Sequence, residues 1–195
     1  DLETESRPSG LVMQKTARVE YHPLGVVGVI CPWNFPFHNI FCPVVPALFA
    51  GNAVVAKVSE LASGSAAGYQ ALIADVLRRC GHSPDLVQIL TGAGETGSAL
   101  VTSGVEKIFF TGSPENGRRV MAAASETLTD VVLELGGKDP MIICDDADLD
   151  QAVAAAMLGV YTACGQMCVG AERLYVFSGI YDRFVEAVCQ RVSAL

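Results

Sequence analysis

Positive charge is scarce in this chain of 195 residues: 13 Lys and Arg stand against 21 Asp and Glu, a net charge of −8. Only Arg78-Arg79 and Arg118-Arg119 are adjacent cations, so no clustered basic surface exists for a phosphate backbone, which argues against nucleic-acid binding. Histidine is scarcer still, at three, and none of the cysteines form a C-x-x-C pair; the usual zinc-site spacings are therefore missing and no metal is expected. Seven cysteines at irregular intervals favour reduced thiols over a disulfide framework, and a reducing compartment such as the cytoplasm. No apolar run approaches the ~18 to 20 residues of a membrane span. The acidic start, Asp1-Leu2-Glu3-Thr4-Glu5, lacks the basic and apolar regions of a targeting segment. Without an initiator methionine, and with an end inside the helix-like pattern of Val192-Ser193-Ala194-Leu195, the chain is expected to be cut at both ends.

What is present is a substantial core supply, 51% hydrophobic residues, arranged in alternating periods. Gly25 to Cys31 and Ala53 to Lys57 read as buried strands, and Asn39 to Ala50 between them as a helix whose first turns Pro43 and Pro46 make irregular. The alternation continues through a helix at 65–80, a strand at 86–90, a helix near 96–102, a strand at 107–111 and a helix at 114–124. Strands at 130–135 and 141–144 follow, then a helix capped at Asp148 that runs to Tyr161, a strand at 172–177 and a helix from Asp182. Tandem βαβ units predict an α/β fold: a Rossmann-like parallel sheet with flanking helices and ligand loops at the strand carboxyl ends, plus the start of a second α/β domain. The expected division is 1–20 as an N-terminal segment, 21–162 as a nucleotide-binding domain and 163–195 as the start of a catalytic domain. Residues 1–9 are expected to lack order.

Several short stretches carry chemistry. Cys168, in Gly165-Gln166-Met167-Cys168, separates a long apolar helix from a new strand. Glu134 sits in the apolar run Val131 to Leu135 before Gly136-Gly137-Lys138; burial there would raise its pKa towards that of a useful base, whereas strict alternation would turn it to solvent. Asn34 lies in Pro32-Trp33-Asn34-Phe35-Pro36, where the bracketing prolines suggest an extended, rigid loop, and it reads either as a turn residue or as an amide donor. A thiol, a carboxylate and an amide suit acyl chemistry. Gly112-Ser113-Pro114 reads as a capped helix start, with Ser113 at the N-cap and Pro114 next, and also as a place for an anion. Lys57 and Glu60 read either as a solvated charge pair or as ligand contacts at the sheet edge.

Taken in order, Pro32 to Pro36, Lys57-Val58-Ser59-Glu60, Phe110-Thr111-Gly112-Ser113, Glu134 to Lys138 and Gly165 to Arg173 resemble the aldehyde dehydrogenase superfamily. The resemblance implies NAD-dependent oxidation of an aldehyde substrate to a carboxylic acid. Cys168 would be the nucleophile, Asn34 with the Cys168 amide the oxyanion hole, and Glu134 the general base, with Lys138 structural. It implies a cofactor site drawn from Ile30, Pro32 and Trp33, from Lys57, Ser59 and Glu60, from Gly92, from Gly112 and Ser113, and from Leu135. Lys57 and Glu60 would hold the adenosine ribose, a carboxylate that favours NAD while leaving NADP possible. Family members form homodimers or homotetramers when full length, and some relatives carry an amino-terminal membrane anchor, which would lie outside this chain. The alternatives are a coenzyme A-acylating relative, which generally lacks the base glutamate, and a non-catalytic nucleotide-binding homologue. Because the family is considerably longer than 195 residues, this piece alone is expected to bind NAD weakly and turn over poorly.

Overall fold

A computed structural model of the chain describes residues 4–11 and 15–195. The described residues divide into two compact units, one up to Glu134 and one from Leu135 to Leu195. That division falls earlier than the 162/163 boundary expected from the sequence, because the strand and helix between the two points pack with the elements after Cys168.

The first unit opens with β1 (Glu5–Arg7) and β2 (Ala17–Val19), an antiparallel pair in which Ser6 faces Arg18. Residues 5–7 are thus ordered as a strand, contrary to the expectation for 1–9, because a distant partner satisfies their backbone groups. The part of that expectation at 1–3 lies outside the described residues. The unit continues through β3 (Val26–Ile30), α1 (Pro36–Phe49), β4 (Ala53–Lys57), α2 (Ala66–Arg79) and β5 (Val87–Leu90). It then runs through α3 (Gly94–Val101), β6 (Lys107–Gly112), α4 (Pro114–Ser125) and β7 (Asp130–Leu135). The sheet order is β5-β4-β3-β6-β7, with β4 and β6 both parallel to the central β3. Chain order therefore runs outward on one side of β3 and then jumps to the other, which puts the topological switch point between β3 and β6. Val29, Val54, Ala56, Val87 and Ile40 are essentially solvent-free in the core, as a β-branched run buried on both faces of a parallel sheet requires.

Helix α1 begins three residues before its expected start. Pro36 occupies its first turn, where a missing N–H costs nothing and the ring presets φ, so the loop ahead of it is a bend at 33–35 and not an extended stretch. Pro43 and Pro46 lie inside the helix instead of loosening its start. Pro43 cannot donate to the Asn39 carbonyl, and its ring presses on that carbonyl; the Cys31 thiol donates to the oxygen at 3.1 Å. Burial pushes the Cys31 thiol up to about 12, against a lowering by Lys57, which keeps it protonated and able to donate. Stability from this thiol is full below its ordinary value near 9, and declines as pH rises from there towards 12, because the unfolded chain releases the proton first. Cys31→Ala is expected to cost about 1 to 3 kcal/mol in urea unfolding, since it strands a carbonyl acceptor, whereas Cys31→Ser keeps a donor and recovers part of the loss.

Two amides finish this unit. Buried Asn52 accepts from the Leu24 and Gly25 N–H groups and donates to the Ala47 carbonyl, fixing the entry to β3. Gln70 on α2 accepts from Ile89 N–H and donates to the Val87 carbonyl, so its amide covers the open edge of β5 as a further strand would.

The second unit is a single βαβ turn with a closing helix: β8 (Asp139–Ile143), α5 (Leu149–Tyr161), β9 (Ala171–Val176) and α6 (Tyr181–Val192). β8 and β9 are parallel, with Met141 beside Leu174. Asp148 caps α5 by accepting from Gln151 N–H at 2.9 Å, as the sequence predicts. Ile143, Val153, Ala156, Ile180 and Phe184 form its core.

Candidate functional site

The carboxyl ends of β3, β4 and β6 open onto a cavity of about 500 Å³, the position where an open α/β sheet receives ligands. Eight of the ten expected cofactor contacts line it: Ile30, Pro32 and Trp33 after β3, Lys57, Ser59 and Glu60 after β4, and Gly112 and Ser113 after β6. Gly92 does not. It precedes α3 with φ of 144°, and a Cβ there would fall 2.0 Å from Thr96 Oγ1, so its service is to the turn. Leu135 belongs to the second unit.

Each wall follows from local sequence. Ser113 caps α4 by accepting from Asn116 N–H at 3.2 Å, with Pro114 in the first turn; the capped-helix reading holds, and the same N-terminus reaches the cavity through Gly112, Ser113 and Asn116. Free N–H groups and the helix dipole there favour an anion. Buried Lys57 reaches Glu60 at 3.2 Å. The Glu60 carboxyl is held below the usual carboxylate range, first by its own backbone N–H and then by the Lys57 ammonium, so the pair is charged. Ser59 turns the chain between them, accepting from Leu61 N–H.

The remaining walls are two helix faces that the sequence reading missed. Gly94, Gly97, Ser98 and Val101 on α3, and Asn116, Arg119, Val120 and Ala123 on α4, all line the cavity. Each set has the spacing i, i+3, i+4, i+7 of one helical face. That spacing was the available signal, muted on α3 because glycine and serine carry little hydropathy contrast and on α4 because the face mixes Asn116 and Arg119 with Val120 and Ala123.

The three expected catalytic groups are placed as follows. Asn34 is half-buried in the bend just ahead of α1, directly after Pro32 and Trp33, which line the cavity, and is not itself among its lining residues. Glu134 is exposed near the end of β7, the solvent-facing orientation offered by alternation and not the burial its apolar neighbours allowed. β7 is an edge strand of the five, and residues there keep one side open. Cys168 is exposed in the second unit, in a turn closed by Gly170 N–H donating to the Met167 carbonyl at 3.3 Å. In the same unit, Lys138 pairs with Glu172 and its carbonyl accepts from Arg173 Nε at 2.7 Å, tying the starts of β8 and β9 together. Among the described residues, no group of three or more His, Cys, Asp or Glu side chains is placed to hold a metal, and no helix is long and apolar enough to cross a membrane.

The profile of the "Aldehyde dehydrogenase family" matches residues 1–195. This chain belongs to that family. A putative aldehyde dehydrogenase-like protein of Schizosaccharomyces pombe is 40% identical over 196 residues, 100% of this chain and 38% of that protein. Mitochondrial succinate-semialdehyde dehydrogenase of Arabidopsis thaliana is 46% identical over 175 residues, 89% of this chain and 32% of that one. Among solved structures, an Escherichia coli NADP-dependent enzyme superposes with a TM-score of 0.89 at 38% identity, covering 99% of this chain and 40% of that one. Betaine aldehyde dehydrogenase of Staphylococcus aureus in complex with NAD+ superposes with a TM-score of 0.87 at 32% identity, covering 98% and 37%. The aldehyde dehydrogenase chain described here thus spans about two fifths of the length of such relatives. Its parallel sheet with flanking helices is the family's fold, as the alternation of periods predicts.

Proposed function

We propose that the protein carrying this chain oxidises an aldehyde to a carboxylic acid with a nicotinamide dinucleotide, working as a homodimer or homotetramer when full length. The observation that carries this reading is the cavity at the switch point, whose donor set fits a dinucleotide. The Ser113-capped start of α4 suits a pyrophosphate, the Lys57–Glu60 pair suits a ribose diol, and the small-residue face of α3 opposite α4 leaves a slot for a planar base.

In the proposed reaction the Cys168 thiolate adds to the aldehyde carbon, forming a C–S bond and an alkoxide. The Asn34 side-chain amide and the Cys168 backbone N–H donate to that oxyanion. When bound, the dinucleotide supplies the acceptor for the former aldehyde hydrogen, which leaves the carbon as hydride and turns the thiohemiacetal into a thioester. Glu134 then takes a proton from water, whose oxygen adds to the thioester carbonyl. Breaking the C–S bond returns the Cys168 thiolate and frees the acid.

The test is NADH or NADPH formation by the intact protein with short, long-chain and aromatic aldehydes in the absence of coenzyme A. Turnover under those conditions supports the reading; product only when coenzyme A is added would replace it with the acylating reaction, and dinucleotide binding without turnover by a binding role. Asn34→Ala is expected to lower kcat by about 10²- to 10³-fold in the same assay, the usual loss for one oxyanion donor.

A further inference from the structure

The strand that follows the Cys168 thiol is irregular where it enters its sheet. In the parallel pair of β8 and β9, Ala171 stands beside Asp139 and Arg173 beside Pro140, so Glu172 has no partner and β9 bulges there. A bulge disrupts the ladder, Pro140 brings no N–H to restore it, and a sheet of two strands holds its register weakly. Side chains supply the missing tie. Arg173 donates from Nε to the Lys138 carbonyl at 2.7 Å and from Nη1 to the Tyr175 hydroxyl at 3.3 Å, with its guanidinium 5.8 Å from the centre of the Tyr175 ring. Tyr175 is two positions further along the same face of the strand, and it braces the planar fork in the pose that meets the carbonyl. The Lys138–Glu172 pair alongside is 72% and 44% exposed; water screens it, so it adds less than the charge-assisted bond from Arg173.

Cys168 sits just ahead of this entry. Its turn closes where Gly170 N–H donates to the Met167 carbonyl, and Gly170 leads directly into Ala171, the first residue of β9. The turn is tight: a Cβ on Gly170 would lie 3.3 Å from that same carbonyl oxygen. With so little slack between thiol and strand, a slip of β9 by one residue would carry the turn along by about 3.3 Å, and about 1 Å of misplacement costs a reacting group about 10²-fold in rate. We infer that Arg173 is a positioning residue: its bond to the Lys138 carbonyl locks the bulged register of β9 and so fixes where the turn presents the Cys168 thiol. The inference rests on the reading of Cys168 as the nucleophile given above.

The test is single-turnover NADH formation by the intact protein and its Arg173→Met and Arg173→Lys variants, with enzyme and NAD in excess over an aldehyde that the parent oxidises, alongside urea unfolding of each. Arg173→Met keeps the apolar stem and loses every donor; its single-turnover rate constant is expected to fall about tenfold or more. NAD affinity should change by less than about twofold, because the residues lining the dinucleotide cavity lie in the first unit. Arg173→Lys keeps a donor without the fork that Tyr175 braces, and its rate constant is expected to fall about threefold. A role in stability alone would lower the urea midpoint and leave the rate constant at saturating enzyme untouched; that result would overturn the inference. If Arg173→Met does not fold, the lysine variant decides, and a rate constant equal to the parent's would overturn the inference in the same way. Either result leaves Cys168 as the nucleophile so long as Cys168→Ser abolishes turnover. No NADH from the parent with any aldehyde would overturn both readings.

Discussion

Replacing Cys168 with serine is expected to lower aldehyde-dependent NADH formation on the order of 10⁴-fold or more while leaving dinucleotide affinity within about twofold. The size of the loss follows from the nucleophile: a serine hydroxyl without an adjacent base is almost never ionised at neutral pH, whereas a thiol ionises readily and attacks well. The silence of binding follows from the fold. Every residue lining the dinucleotide cavity lies at or before Ala123, in the first compact unit, and Cys168 lies in the second. Ala163, Cys164 and Gly165 are three successive residues at φ of 51°, 57° and 75° just ahead of the turn that presents the thiol. For the first two that conformation costs roughly 1 to 2 kcal/mol each. Steady-state rates and NAD titration of Cys168→Ser check this; a variant that keeps a tenth of the parent rate would remove Cys168 from the reaction.

For Glu134→Gln the expected outcome is a split between the two halves of the reaction. Steady-state turnover should fall by about 10² to 10⁴, the usual worth of a positioned base. The first turnover should survive, because thiolate addition and hydride loss precede the step that needs the base. Rapid mixing should therefore show a burst near one NADH per site followed by a slow phase, and hydroxylamine, which attacks thioesters without help from a base, should restore turnover. Loss of the burst together with the steady rate would assign Glu134 to an earlier step. Unchanged turnover would remove Glu134 as the base of the hydrolytic step. Exposure of Glu134 at the edge strand β7 leaves its carboxylate open to water, the co-substrate of this step.

Local signals were legible where chemistry and geometry are set by neighbours in the chain. β4 is found at Ala53–Lys57 and β7 at Asp130–Leu135, as their β-branched runs predict. The Ser113 and Asp148 caps sit where a short polar side chain precedes a helix and accepts its first N–H groups. Legibility failed where the answer depended on something distant. Pro36 reads as a loop residue and serves as a helix start. Pro43 reads as a disruption, yet Cys31, twelve positions earlier, donates to the carbonyl it leaves behind. Glu5–Arg7 has no strand pattern of its own and is a strand because Ala17–Val19 lies beside it.

The sequence by itself determined the alternation of strands and helices, the helix caps and the ordered motifs that place the chain among aldehyde dehydrogenases. These depend on side-chain periodicity and on hydrogen bonds reaching three or four residues. The tertiary structure alone decided which motifs share a cavity, which helix faces wall it and which carboxylate stays in water. The crossover from β5 to β6 brings Gly112 and Ser113 into one site with Lys57 and Glu60, and turns Arg119 into the same space. No local rule encodes that, because burial and proximity are properties of the assembled sheet: a residue's face is set by which strand lies beside it, and that choice is made across fifty or more positions of chain.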